Sequence, residues 1–239
     1  MKKHILWIVS LLYTSVFAAT DAQIVEHFKS TIQVPNITIE VLSRKSVEGI
    51  AGMDFVTLNL SDGNRAQKLS IFTKDDLIFP DVISIKQGGS IKEMMEMAEL
   101  QKKLSAIYKK ESKKNIISLG NDPKKDTVVV FTDPECPYCR QELAQIEKRL
   151  ETSNVKLIFT PVHERSSLEK SVLAYNETEK AKTDAEKIVI LRKYFNEAVV
   201  LDQKVSDQDV KRIDDLKVKY FEAGIKGVPF VIREKELLK

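Results

Sequence analysis

Two cysteines flank Pro137 and Tyr138 in the stretch DPECPYCRQE, Asp133 to Glu142, and they are the only cysteines in the 239-residue chain. At this spacing Cys136 and Cys139 could form a structural bridge, supply half of a metal site, or exchange electrons with thiols of other proteins. A bridge across two intervening residues closes a very small ring. Such a ring gains little from loop-closure entropy, and its geometry favours easy reduction. A zinc or iron–sulfur centre needs about four ligands. His27 and His163 stand at no ligand spacing from the pair; His27 reads as a helix-surface residue and His163, in VHERS, as a loop residue. No metal and no cofactor are therefore expected, and redox exchange is the chemistry left.

The neighbouring residues set the roles. TVVVFTD, Thr127 to Asp133, is a continuous apolar run of the kind buried on both faces of a sheet. After Pro134 and Glu135 it leads into CRQELAQIEKRLE, read as one helix with Leu143, Ile146 and Leu150 on one side. Cys136 would then sit at a helix N-terminus, where unpaired N–H groups and the helix dipole favour a thiolate and make it the nucleophile. Pro137 suits the first helical position because it has no N–H to leave unpaired. Cys139, one turn in, is expected to be more buried and to act as the resolving thiol. Glu135 opposes this, since an adjacent carboxylate disfavours a thiolate unless solvent or a lysine screens it.

The rest of the chain must position that pair. Met1 to Ala19 begins with Lys2 and Lys3, continues in an apolar run from Ile5 to Leu12, and ends in small residues. That is a secretory signal, with cleavage expected after Ala18 or Ala19, and its apolar run is shorter than the roughly 20 residues of a spanning helix. Composition is 43% hydrophobic and 31% charged, which fits a globular protein. The formal charge is only +3, two units of it on Lys2 and Lys3, so a nucleic-acid surface is not expected. Residues 20–87 read as a small α+β module: a helix around Asp21 to Ser30, then β-like runs NITIEVLS, DFVTLNL and QKLSIFT, the last two joined at SDGN by a hairpin turn with Gly63 at positive φ. DDLIFP and VISI would add an edge. Gly88, Gly89 and Ser90 break the pattern, and Ser90 can cap a linker helix from Ile91 to about Lys114 whose Met94, Met95 and Met97 read mainly as packing. From residue 115 strands and helices alternate: NIISL, TVVVFTD and VKLIFTPV as strands, a helical region from Ser166 to Val200 broken near Lys182 to Asp184, a helix capped at Ser206 and ending at Gly224, and a final strand in GVPFVIRE.

FTDPECPYC, the linker helix and the C-terminal GVPF resemble the DsbC/DsbG family of periplasmic thiol-disulfide oxidoreductases, and most of all the dimeric DsbG-like thiol oxidases of Helicobacter and Campylobacter. The resemblance implies a signal peptide over 1–19, a cystatin-like α+β dimerisation domain over 20–87, a linker helix over 88–114, and an α/β thioredoxin-fold catalytic domain with a helical insertion over 115–239. It implies Cys136 and Cys139 as the catalytic pair, with Pro137, Tyr138, Val228 and Pro229 contacting substrate. Pro229 would be a cis-proline facing the pair, its preceding backbone free to pair with an incoming peptide. DsbC and DsbG typically carry Thr before that proline, whereas Val228 stands here as in DsbA-type oxidases, which argues for an oxidase over an isomerase. The implied partners are unfolded exported proteins, a second copy of the chain, and a membrane redox partner of the DsbB or DsbI type. A disulfide isomerase or reductase kept reduced by a DsbD-like partner, and a dimeric holdase chaperone, are the alternatives.

Overall fold

A computed structural model describes residues 19–201 and 203–239; the expected signal segment from Met1 to Ala18 lies outside the described residues. Among the described residues no helix is long and apolar enough to cross a membrane. The chain forms two compact units that divide between Glu96 and Met97.

In the first unit α1 (Asp21–Thr31) starts at a capping box in which Thr20 and Gln23 each satisfy the other's backbone N–H. The strands β1 (Thr38–Ser46), β2 (Met53–Ser61), β3 (Ala66–Lys74) and β4 (Leu77–Phe79) form an antiparallel meander in that order. Alternation builds two cores. Val56 and Leu58 of β2 join Ile24, Ile39 and Ile71, while Met53 and Phe55 join Val47 and Phe72. The β2–β3 hairpin turns where expected, with Gly63 at φ +89° and the Asp62 carboxylate accepting from the N–H groups of Asn64 and Arg65. Two residues each from β5 (Ile83–Ser84) and β6 (Gly89–Ser90) pair ahead of α2 (Ile91–Tyr108), whose first turn Ser90 caps through the N–H of Glu93.

Helix α2 is shorter than the sequence suggests. An apolar pattern running to Lys114 takes no account of Glu111, which turns inward to pair with Lys219 and to accept from Tyr220 at 2.8 Å and Asn115 at 2.8 Å. Satisfying that carboxylate takes the chain out of the helix after Tyr108.

The second unit is a four-stranded mixed sheet in the order β10-β8-β9-β7. β8 (Asp126–Thr132) and β9 (Ser153–Phe159) run parallel; β7 (Ile117–Leu119) and β10 (Phe230–Arg233) flank them antiparallel. Helices cover both faces. Val128 and Val130 of β8 pack with α3 (Pro137–Ala144), α4 (Ile146–Thr152), α5 (Arg165–Thr178) and α6 (Asp184–Phe195). Val129 and Phe131 point the other way, to Leu104 and Tyr108 of α2, to α7 (Asp207–Ala223), and to Leu237 of α8 (Glu234–Leu237). A fully buried Val or Phe contributes about 1.5–3 kcal/mol, so β8, buried on both faces, is the firm platform of this unit. The continuous helix expected after Cys136 is instead two, α3 and α4. Gln145 leaves helical geometry at φ −103°, ψ 15° and its N–H bonds Glu142, a tight turn that still leaves Leu143 and Ile146 in the core.

Candidate active site

β8 ends at Thr132, and the chain leaves the sheet through Asp133, Pro134 and Glu135 before Cys136 takes the N-cap of α3 in extended geometry, φ −74° and ψ 123°. No side-chain hydrogen bond caps this end, so the first-turn N–H groups have no side-chain partner. Pro137 is the first helical residue; the N–H of Arg140 donates to the Cys136 carbonyl at 3.0 Å.

Cys136 Sγ lies 3.5 Å from the carbonyl oxygen of Val228, whose peptide bond to Pro229 is cis. Residues 92 positions apart meet because β10 lies antiparallel beside β8, Phe230 opposite Phe131. The segment entering β10 must then reach the segment leaving β8. Both cysteines are free thiols. Cys139 is 1% exposed and Cys136 6%: Cys139 is the more buried of the two, as expected, but Cys136 is itself enclosed. Its cover includes the Val228 carbonyl, whereas Tyr138 is 69% exposed and Pro137 is exposed as well. Val228 and Pro229 are half-buried.

Burial pushes the Cys139 thiol up to about 12, reinforced by the neighbouring Cys136 and only partly offset by hydrogen bonds from the Thr132 hydroxyl and the Asp133 backbone. In the reduced protein, therefore, Cys139 holds its proton across the physiological range.

Two acids before the motif anchor the loop to the segment after β9. Asp133 is fully buried, and burial would raise its carboxyl. Hydrogen bonds from Ser167, from His163 and from the N–H groups of Glu135 and Val162 overcome that and hold it below the usual carboxylate range. His163 Nδ1 stands 2.7 Å from Asp133 Oδ2. Glu135 binds Lys170 Nζ at 2.8 Å and Ser166 Oγ at 3.0 Å, while its carbonyl accepts from the Arg140 guanidinium at 2.6 Å. From sequence alone His163 is an ordinary loop residue, and Lys170 and Ser167 do not stand out. No local signal marks them: they come from 30 to 35 residues downstream and reach the loop only because β9 lies parallel beside β8.

Residues 112–233 match a family model described as a thioredoxin-like domain. Among solved structures, Helicobacter pylori DsbG is similar with a TM-score of 0.54 at 20% identity, over 87% of this chain and 98% of its own. A linker-deletion variant of Proteus mirabilis ScsC has a TM-score of 0.43 at 19% identity, over 60% of this chain and 77% of its own. The catalytic domain of Proteus mirabilis ScsC has a TM-score of 0.42 at 17% identity, over 58% and 99%. No curated protein sequence matches. The likeness to DsbG is one of fold: an α+β first unit and a thioredoxin-type second unit with helices inserted between β9 and β10.

Proposed function

The chain belongs to the thioredoxin-like domain family, and from that premise we propose that it is a thiol-disulfide oxidoreductase that introduces disulfides into exported proteins. The observation that carries this reading is the position of Cys136: at the N-cap of α3, its sulfur 3.5 Å from the Val228 carbonyl, with Cys139 buried one turn behind. In the oxidised protein a substrate thiolate attacks Cys136 Sγ. The Cys136–Cys139 bond breaks, a mixed disulfide forms, and Cys139 leaves with the electron pair and takes up a proton. The substrate's second thiolate then attacks its own sulfur in the mixed disulfide and expels Cys136. Two substrate thiols become one disulfide and the protein's disulfide becomes a dithiol, so electrons and protons balance.

Burial of Cys139 bears on both directions of this step: a thiol held near 12 offers little thiolate at neutral pH to attack the mixed disulfide, and it is a correspondingly slow leaving group when substrate attacks Cys136. Substrate contact by Pro137, Tyr138, Val228 and Pro229, pairing of two chains through the first unit, periplasmic residence after signal cleavage, and reoxidation by a membrane partner of the DsbB or DsbI type belong to the same proposal.

The test is oxidation of a reduced two-cysteine substrate by the purified oxidised protein. Wild type is expected to turn it over with a renewable oxidant, and the Cys136→Ser, Cys139→Ser double variant to be inert; an active double variant would overturn the proposal. Alkylation trapping in living cells then decides direction. Mostly oxidised cysteines support the oxidase, while mostly reduced ones would assign an isomerase or reductase instead.

A further inference from the structure

Two buried charged residues, Asp133 and Lys170, hold the loop that precedes Cys136, the first through the N–H of Glu135 and the second through its carboxylate. Asp133 has a plain structural duty, since its carboxylate collects five hydrogen bonds that fix the loop. Lys170 is different. It is 7% exposed, it lies on the inserted helix α5, and its ammonium reaches a single carboxylate, Glu135, directly before the nucleophile. Enclosing an ammonium is costly unless it is paired. Enclosing one to neutralise Glu135 has a chemical return, because the unpaired carboxylate would belong to the residue adjoining a sulfur that must become negative. Of the other charged groups on this side of the helix, Asp133 is satisfied by its five hydrogen bonds and Arg140 pairs with Glu197.

We propose that Lys170 is a positioning residue for the dithiol: by holding and neutralising Glu135 it removes a like charge, on the residue adjoining Cys136, that would oppose the thiolate, so that the helical insertion sets the reactivity of the nucleophile. The inference rests on the oxidoreductase reading of the site and deepens it. The two side chains act as one electrical unit, and removing either alone changes the field at the sulfur in opposite directions. Without Lys170, the Glu135 carboxylate opposes ionisation of Cys136. Without Glu135, the Lys170 ammonium is free to favour it. With neither, the field returns close to its starting value.

The experiment is the rate of alkylation of Cys136 by iodoacetamide at pH 6, in full mature chains carrying Cys139→Ser so that one thiol reports. Lys170→Met is expected to slow the reaction about 3- to 10-fold, Glu135→Gln to speed it about 3- to 10-fold, and the double variant to return within about 2-fold of the parent. A paired charge and its replacement by uncharged residues of similar size are commonly close in stability, so the double variant is expected to fold. Should Lys170→Met not fold, Glu135→Gln alone remains decisive. Equal rates in the variants, or shifts of both single variants in the same direction, overturn the inference. A protein that exchanges disulfides normally while these rates stay equal would sink only this inference, whereas an inert wild type would sink the proposed function beneath it.

Discussion

At the scale of single residues, the two cysteines differ because one ends a loop and the other lies inside a helix against the core. Cys136 meets the open end of α3 and the Val228 carbonyl; Cys139 meets Thr132, Asp133 and apolar side chains. Burial, above all, raises Cys139 from an ordinary 9.0 to about 12. A Cys136→Ser variant leaves that burial in place. Its remaining thiol is expected to be alkylated at pH 8 at least about 100-fold more slowly in the native protein than in urea, with the native rate still climbing as pH approaches 12. Comparable rates in the two states would show that Cys139 is not desolvated. The same shift has a stability consequence. A thiol whose folded value is raised stabilises the folded state fully below about 9, and that stabilisation drains away between about 9 and about 12 as the unfolded chain ionises first.

At the scale of elements, the site depends on turns that hold β7, β8 and β9 in register. Gly120 follows β7 at φ +77°, donates its N–H to Asp184 Oδ2 at 2.7 Å, and lies against Asn154 at the start of β9. A Cβ placed there would stand 2.8 Å from Asn154 Oδ1 and 3.4 Å from the Asn154 backbone. Asn154 cannot swing aside without losing its bonds to Asp122. Gly120→Ala is expected to destabilise the protein by about 1–3 kcal/mol in urea unfolding, through both the left-handed backbone and the clash. An unchanged midpoint would mean that this turn relaxes freely. The loop that leaves β9 matters for the same reason: His163, Ser167 and Lys170 contact the loop from Asp133 to Glu135 only while β9 keeps its parallel register with β8.

At the scale of the whole chain, the division between Glu96 and Met97 falls inside α2, so the helix read as a linker also contributes to the second unit. Leu104 is fully buried and Tyr108 nearly so, packed with Val129, Phe131, Tyr220 and Ile232, and the Tyr108 hydroxyl donates to Glu234. A fragment of residues 97–239 is therefore expected to be more stable in urea than one of residues 115–239 by about 3 kcal/mol or more, since the shorter piece uncovers one face of β8. Equal stability would show that α2 is a connector only.

Much of this molecule is legible in its sequence. The buried strand, the CPYC pair at a helix start, the capped helices and the Gly63 hairpin are local facts, written in the side-chain period, in turn chemistry and in the backbone restrictions of proline and glycine. The inward turn of Glu111 that ends α2 and the break at Gln145 are not legible there, because each answers to a neighbour distant in the chain or to the curvature of a packed surface. The partners of Asp133 and Glu135 are hidden for the same reason. A sequence can state that a carboxylate beside Cys136 needs a cation. Only packing α5 against the end of β8 decides that the cation is Lys170, since burial and charge pairing are properties of neighbours in space and not along the chain.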